Sequence, residues 1–190
     1  MCSTSSAVTI RVATVADEPA LRALIPRSAH ALSTGFYSDA ERDAAIQYVF
    51  GVDSQLIMDR TYLVAERDGA IVGCGGWSKR RTLFGGDQHK DIDDPLLNPS
   101  VDAARIRAFF VAPEFARQGI GGLLMRACAH AAFDAGFRAL ELIATLPGVP
   151  LYGAYGFSVH ENVIEVAPNG VNIPFVRMHR RLDTAEIWAR

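Results

Sequence analysis

Cysteine is scarce in this sequence, and neither a long apolar run nor an excess of one charge sign is present. The three cysteines, Cys2, Cys74 and Cys128, are far apart and have no Cys-x-x-Cys spacing, which argues against a disulfide framework and a zinc site. No apolar run approaches the ~18 residues that span a membrane, and residues 1–6 lack the basic-then-apolar pattern of a secretory signal. These absences favour a reducing compartment, so we expect a cytoplasmic protein with no bound metal and no membrane partner.

The balance of charge narrows the class of partner. With 19 Lys and Arg against 21 Asp and Glu, the formal net charge is -2 and the sequence pI is about 6.2. Nucleic-acid-binding domains usually carry a basic excess, so no nucleic-acid partner is expected. The length of 190 residues and the hydrophobic content of 49% suit one globular domain over residues 1–190.

Periodicity and turn signals predict a chain that alternates strands and helices. Asp68-Gly69 between two β-rich runs predicts a hairpin, Ser38 and Glu41 form a capping-box pattern, and Gly136 is placed to end a helix. We predict strands at 7–13, 61–67, 70–77, 104–111, 140–145, 158–166 and 175–182, and helices at 17–32, 39–50, directly after Asp53, 120–135 and 150–155. This order predicts an α/β fold with a mixed sheet and helices on both faces.

Residues 78–100 break the alternating pattern. Gly85-Gly86, Pro95 and Pro99 stand among four aspartates in this stretch: Asp87, Asp91, Asp93 and Asp94. A long irregular loop inside a compact domain is usually functional or mobile, and we predict one of these two characters here.

The segment from Arg117 to Gly122, Arg-Gln-Gly-Ile-Gly-Gly, opens directly into an amphipathic helix. Glycines allow a ligand to approach the backbone, and the first turn of a helix presents unpaired N–H groups and the positive end of its dipole. Together these features predict an anion site suited to a phosphate or pyrophosphate. Neither a Walker loop nor a dinucleotide fingerprint fits, because no Gly-Lys-Ser/Thr follows and Leu124 stands where the third glycine belongs. The alternative is a glycine-rich turn that merely starts a helix.

Two segments in this order resemble motifs of the GNAT acetyltransferases. Val111-x-Pro113 followed by Arg117-Gln-Gly-Ile-Gly-Gly-Leu-Leu is similar to their acyl-CoA-binding motif, and Leu151–Phe157 is similar to their later aromatic-Tyr-x-x-x-Gly-Phe motif. The resemblance implies a central, mostly antiparallel sheet with one splayed pair of parallel strands, opened near Val111 and Ile143. It also implies direct transfer of an acetyl group from acetyl-CoA to a primary amine, on a small molecule or a peptide.

The resemblance also implies roles for individual residues. Tyr152 matches the family tyrosine that protonates the leaving thiolate, whereas Ala116 and Pro147 depart from the family pattern, where Arg or Gln and Asn are frequent. The backbone of the strand would pair with the pantetheine arm, and the N–H groups of the glycine segment would hold the pyrophosphate. The residues implied in binding the co-substrate are Phe109, Phe110, Val111, Arg117, Gln118, Gly119, Ile120, Gly121 and Gly122.

The general base, the acceptor and the assembly stay open at this stage. The candidates for the base are Glu141, His89, Asp87, Asp91, Asp93, His30 and His160, each with a surface or packing role as the alternative. The acidic loop suggests a cationic acceptor such as a polyamine or aminoglycoside, or else four aspartates that keep the loop solvated. A non-catalytic acyl-CoA-binding or sensor module and a simple interaction domain are the rival functions. A homodimer through the last strand or the tail with Trp188 is a further hypothesis.

Overall fold

The computed structural model describes residues 7–89 and 94–183, whose strands form one seven-stranded sheet. The sheet order is β1-β2-β3-β4-β5-β7-β6, and every neighbouring pair is antiparallel except β4 and β5. This topology confirms the predicted mixed, mostly antiparallel sheet with one parallel pair. In chain order the elements are β1 (Thr9–Val12), α1 (Glu18–Leu32), α2 (Asp39–Tyr48), α3 (Ser54–Met58), β2 (Tyr62–Arg67), β3 (Ala70–Ser78), β4 (Ala104–Val111), α4 (Ile120–Asp134), β5 (Ala139–Thr145), α5 (Val149–Ala154), β6 (Ser158–Val166) and β7 (Asn172–Arg181).

The turns and helix ends that short sequence signals predicted are found in the structure. Asp68 and Gly69 have φ angles of 52° and 74°, as a tight hairpin turn between β2 and β3 requires. The capping box at Ser38 starts α2, and Gly136 follows α4 with a φ of 97°.

Strand β7 begins at Asn172, three residues earlier than predicted. Pro174 lies in this extension, where it pairs with Ile164 of β6, while β5 reaches only as far as Phe175. A proline lacks the N–H that a central strand must donate, and here it stands beyond the stretch that is paired on both sides. Helix α2 also ends earlier than predicted, at Tyr48 instead of residue 50.

The parallel pair β4 and β5 separates after a short contact. Ala104, Arg105 and Ile106 pair with residues 140–142, and no pairing follows beyond Ile106. A β-bulge in β4 accompanies the separation: Cys74 pairs with Phe110 and Gly76 with Arg107, which leaves two residues of β4 opposite one of β3. Ala108 in this bulge has a φ of 55°. Bulges bend a strand, so β4 turns away from β5 and the sheet opens.

Helices cover both faces of the sheet. Helix α4 covers one face with Leu124, Met125 and Cys128, all fully buried. Helix α1 covers the other face with Leu21 and Ile25. No helix within residues 7–89 and 94–183 is both long and apolar enough to cross a bilayer.

The irregular stretch between β3 and β4 is anchored to the body of the protein where it is described. Arg80 forms an ion pair with Asp59 at 2.7 Å, and the Thr82 N–H donates to an Asp94 carboxylate oxygen at 2.7 Å. The two limbs of the stretch also pair with each other, because the Leu97 N–H donates to the Lys79 carbonyl. These bonds fix residues 82–86 beside the opening of the sheet.

Candidate active-site cleft

A cleft of about 720 Å³ occupies the gap between β4 and β5. Its lining comes from the end of α1, the segment 83–85, strand β4, the glycine segment, the end of β5 and helix α5. Of the nine residues that the sequence implicated in co-substrate binding, eight line this cleft. The exception is Gln118, whose side chain donates to the Glu114 carbonyl and accepts from Arg67.

The glycine segment forms an open cradle at the start of α4. Arg117 and Gly119 have φ angles of 62° and 84°, which turn the backbone sharply before the helix begins at Ile120. No side chain caps this helix, so its first N–H groups are not satisfied by a cap. The positive end of the helix dipole and the Arg117 side chain add to the attraction for an anion.

Close packing explains two of the glycines. A Cβ at Gly121 would lie 3.1 Å from a Leu151 methyl carbon, and a Cβ at Gly122 would lie 1.9 Å from the Tyr155 hydroxyl oxygen. Tyr155 is held there by a 2.9 Å hydrogen bond from Arg126. Helix α5 therefore rests directly on the first turn of α4, which fixes the position of the cradle.

Strand β4 presents its bulged part to the cleft. The Phe109 ring lies over Gly75, where a Cβ would come within 2.6 Å of it. The Val111 N–H donates to the Ser28 hydroxyl at 3.2 Å, so a buried side chain of α1 already engages one of the amides implicated in pantetheine binding. The hydroxyl of Ser28 would have to yield for an extended ligand to pair with that N–H.

Tyr152 lies in the wall of the cleft on α5. Its ring makes edge contacts with Phe109 and Phe157, at centroid distances of 6.3 Å and 5.8 Å. Burial, with a smaller contribution from nearby Cys128, raises the pKa of the Tyr152 hydroxyl well above its usual value of 10. The hydroxyl therefore stays protonated at every pH at which the protein would work.

Glu141 is held in an ion-pair network outside the cleft. Its carboxylate contacts Arg105 on one side and accepts from Arg177 at 2.6 Å on the other, and Arg177 also bonds Glu161 at 2.9 Å. Both carboxylate oxygens of Glu141 are therefore engaged by guanidinium groups, and the residue does not line the cleft. Its packing role, the alternative considered from the sequence, is what the structure supports.

The remaining base candidates do not line the cleft where they are described. His30 is exposed on α1, His160 is exposed on β6, and Asp87 accepts two 2.9 Å hydrogen bonds from the backbone and hydroxyl of Ser54. Asp91, Asp93 and Trp188 lie outside the described residues, and so does the side chain of His89. No group of three or more His, Cys, Asp or Glu that could hold a metal occurs among residues 7–89 and 94–183.

Tyr37 ties the floor of the cleft together, a role that the sequence did not reveal. Its hydroxyl donates to the Pro174 carbonyl at 2.7 Å and accepts from the Leu146 N–H at 2.9 Å. Burial raises the pKa of Tyr37 to about 12, so the hydroxyl keeps its proton. These two hydrogen bonds hold the turn between β5 and α5. They thereby fix the position of Tyr152 in the wall of the cleft.

Replacing Tyr37 by Phe should lower the free energy of unfolding by about 1–3 kcal/mol, because a buried N–H and a carbonyl lose their partner. Urea unfolding of Tyr37→Phe beside the wild type measures this change. Tyr48→Phe is the matched control, since no hydrogen bond to the Tyr48 hydroxyl is found in the described part of the chain. Equal stability of Tyr37→Phe and Tyr48→Phe would show that the hydrogen bonds of the Tyr37 hydroxyl do not stabilise the fold.

Comparison with known families and solved structures agrees with the fold described above. Residues 27–157 match the model of the acetyltransferase (GNAT) family, and no match was found among curated proteins. A GCN5-related N-acetyltransferase from Rhodopseudomonas palustris superposes with a TM-score of 0.69 at 18% identity, covering 96% of this chain and 100% of that one.

Two further similar structures carry a ligand in their descriptions. PaiA N-acetyltransferase from Thermoplasma acidophilum, in complex with coenzyme A, gives a TM-score of 0.62 at 15% identity and covers 93% of this chain and 99% of its own. YncA, a putative acetyltransferase from Salmonella typhimurium with acetyl-CoA, gives 0.60 at 17% identity, over 94% of this chain and 96% of its own. At these identities the likeness concerns the fold.

Proposed function

Because this chain belongs to the acetyltransferase (GNAT) family, we propose that it transfers an acetyl group from acetyl-CoA to the nitrogen of a primary amine. The observation that carries the proposal is the cleft between the splayed strands β4 and β5, with the uncapped start of α4 at its edge. Acetyl-CoA bound there would supply a reactive thioester. The fold family and the cleft support an acyl-CoA-dependent enzyme, and the amine acceptor is part of the proposal.

The residues present fit the co-substrate. The N–H groups of Ile120, Gly121 and Gly122 would hold the pyrophosphate, since nothing in the described chain caps them. The stretch of β4 from Phe109 to Val111, which has no strand partner on its β5 side, would hold the pantetheine arm as an added strand does. A backbone N–H on this bulged strand would stabilise the oxyanion that develops on the thioester carbonyl.

Proton transfer completes the reaction. The amine nitrogen attacks the carbonyl carbon, the C–N bond forms as the C–S bond breaks, and the proton lost by the nitrogen ends on the sulfur. Tyr152 would deliver a proton to the leaving sulfur and regain one from the nitrogen, because its hydroxyl stays protonated in the buried wall. Desolvation raises the pKa of a thiol as it raises that of a phenol, so a buried cleft also increases the affinity of the leaving sulfur for a proton.

Calorimetric titration with acetyl-CoA, with ATP as the comparison, tests the binding half of the proposal. Gly119→Val should weaken acetyl-CoA binding at least tenfold, because a β-branched residue is strained at a φ of 84° and the cradle must shift. Gly170→Val is the matched control: Gly170 has a φ of 83° and, like Gly119, has no atom within 4 Å of a Cβ position. Equal affinity of the two variants for acetyl-CoA would contradict the cradle.

A non-catalytic acyl-CoA-binding module is the second candidate function. It is favoured by the lining of the cleft, in which no Asp, Glu or His occurs among the described residues. Release of CoA thiol in the presence of an amine separates the two candidates. Tight acetyl-CoA binding without turnover on any amine would support the module.

A further inference from the structure

The half of the cleft that faces away from the glycine cradle is walled by phenylalanines. Phe50 meets Phe110 and Phe175 edge-on at centroid distances of 5.5 Å and 6.2 Å, and Phe84 meets Phe175 at 5.7 Å. Phe36, which is 52% exposed, lies at the rim. The rings come from the α1–α2 and α2–α3 connections, the 82–86 segment, β4 and β7, so only the fold assembles them.

This wall is held firmly in place. A Cβ at Gly85 would lie 3.0 Å from the Ala108 backbone nitrogen, and one at Gly86 would lie 2.7 Å from the Val49 carbonyl oxygen. The segment that carries Phe84 is therefore pressed against both the β4 bulge and the end of α2. Thr82, two residues before Phe84, is further anchored by Asp94.

The charged lining of the cleft, among the described residues, consists of two arginines. Arg117 lies at the cradle, and Arg107 is fully buried and offset by Asp53 at 3.3 Å and Asp94 at 3.8 Å. Besides these two arginines, Tyr152 is the titratable side chain among the described residues that line the cleft. The other titratable residues on the surrounding elements do not line the cleft. They are Glu18, Arg22, Arg27 and His30 on α1, Tyr37 before α2, Asp39, Glu41, Arg42, Asp43 and Tyr48 on α2, Asp53 before α3, Lys79, Arg80, Arg81, Asp87 and Asp94 before β4, Arg105 on β4, Glu141 on β5, Tyr155 beside α5, and Arg177, His179, Arg180 and Arg181 on β7.

We propose that the acceptor is an aromatic or comparably apolar primary amine, which binds this phenylalanine wall as the neutral base and attacks without a protein general base. The proposal rests on the acetyltransferase function proposed above and names its substrate class. Edge-to-face ring contacts and apolar burial favour an aromatic group. Among the described residues no carboxylate lines the cleft, so an ammonium ion would find no counterion there and a polyamine or aminoglycoside is a poor fit.

The chemistry balances without an enzymatic base. A neutral amine has a free lone pair, which forms the C–N bond while the C–S bond breaks. Tyr152 gives its hydroxyl proton to the CoA sulfur and takes one N–H proton from the nitrogen as the amide forms, so it ends the cycle protonated, as proposed above. The proton that the amine must lose before binding goes to solvent, which makes the rate depend on the pKa of the amine itself.

Initial rates of CoA thiol release from acetyl-CoA test the substrate class. 2-Phenylethylamine should have a kcat/KM about 10- to 100-fold above that of ethylamine, which has the same amine and no ring, because the ring adds apolar burial. Spermidine should turn over no better than ethylamine. A preference for spermidine would overturn this inference but leave the acetyltransferase intact, whereas failure of acetyl-CoA to bind would overturn the proposed function itself.

A pair of variants tests the wall. Phe84→Ala should lower kcat/KM for 2-phenylethylamine at least tenfold and leave that for ethylamine and the affinity for acetyl-CoA near wild type. Phe133→Ala, which removes another half-buried ring outside the cleft, is the control for general loss of packing. Phe36→Ser provides a second test at the exposed rim, where folding is not at risk. Equal losses for both amines in Phe84→Ala and in Phe36→Ser would contradict the wall.

The pH profile tests the absence of a protein base. For 2-phenylethylamine, log kcat/KM should rise with unit slope up to the pKa of the amine. With 2,2-difluoro-2-phenylethylamine, a less basic amine of nearly the same shape, the bend should move down by the difference between the two amine pKa values. A bend at the same pH for both amines would show that a protein group titrates, and it would overturn the proposal.

Discussion

Tyr152→Phe is expected to lower kcat by about 100-fold while the affinity for acetyl-CoA stays near that of the wild type. The substitution removes the hydroxyl and keeps the ring, so the edge contacts with Phe109 and Phe157 remain. What is lost is the hydroxyl that burial keeps protonated and that we propose as the proton donor. Single-turnover measurement of acetyl transfer, beside calorimetric titration of acetyl-CoA, separates the chemical step from binding.

The raised pKa of Tyr152 also predicts how the kcat of the wild type depends on pH. Because the pKa of Tyr152 is raised above 10, the protonated form is the active one and is lost only above that pH. The kcat of the wild type should therefore show no decline that belongs to Tyr152 below about pH 10. Tyr48→Phe, which removes a hydroxyl outside the cleft, should retain wild-type kcat. Full turnover by Tyr152→Phe would remove this residue from the mechanism.

Arg107→Met is expected to lower the free energy of unfolding by about 3–5 kcal/mol, the largest effect on stability that the structure predicts. The fully buried guanidinium lies 3.3 Å from Asp53 and 3.8 Å from Asp94, and it donates to the Ser78 hydroxyl and the Thr82 carbonyl. Without Arg107, two carboxylates with little access to water would lose their counterion. Guanidinium-chloride unfolding measures the loss.

Two companion variants make this prediction specific. Arg27→Met removes an exposed pair with Glu114, in which both side chains are about half exposed, and should change stability by less than about 1 kcal/mol. Adding Asp53→Asn to Arg107→Met removes one orphaned charge and should restore part of the loss, since an Asn can still accept from the Leu56 N–H. Stability of Arg107→Met within 1 kcal/mol of the wild type would show that the buried charges are not coupled as described.

The parts of the fold that the sequence predicted correctly depend on nearby residues. A left-handed Asp68-Gly69 turn, a capping box at Ser38 and a glycine after α4 each act within four residues of the element that they define. The Gly-rich start of α4 belongs to the same class, because its backbone conformation follows from its own glycines. Such signals can be recognised in the sequence without knowing which elements pack against each other.

What the sequence could not reveal depends on contacts between distant segments. The path of residues 78–89 is set by the Arg80–Asp59 pair and by Asp94, and nothing local in an acidic, proline-containing loop predicts either bond. Two of the aspartates that suggested attraction for a cation instead accept hydrogen bonds within the fold, Asp87 from Ser54 and Asp94 from Thr82. The phenylalanine wall was hidden for the same reason, since its rings are scattered along the chain.

The short contact between β4 and β5 makes this sheet two half-sheets joined at a seam. Three residue pairs connect them, whereas β5 and β7 share seven. The width of the cleft is thus governed less by backbone hydrogen bonds than by side chains that bridge the seam, such as those under α4. Substitutions in that core, far from any reacting atom, would widen or narrow the opening. Under the function proposed above, descendants of this chain could exchange one amine for another through drift in the interior while their chemical machinery stayed constant.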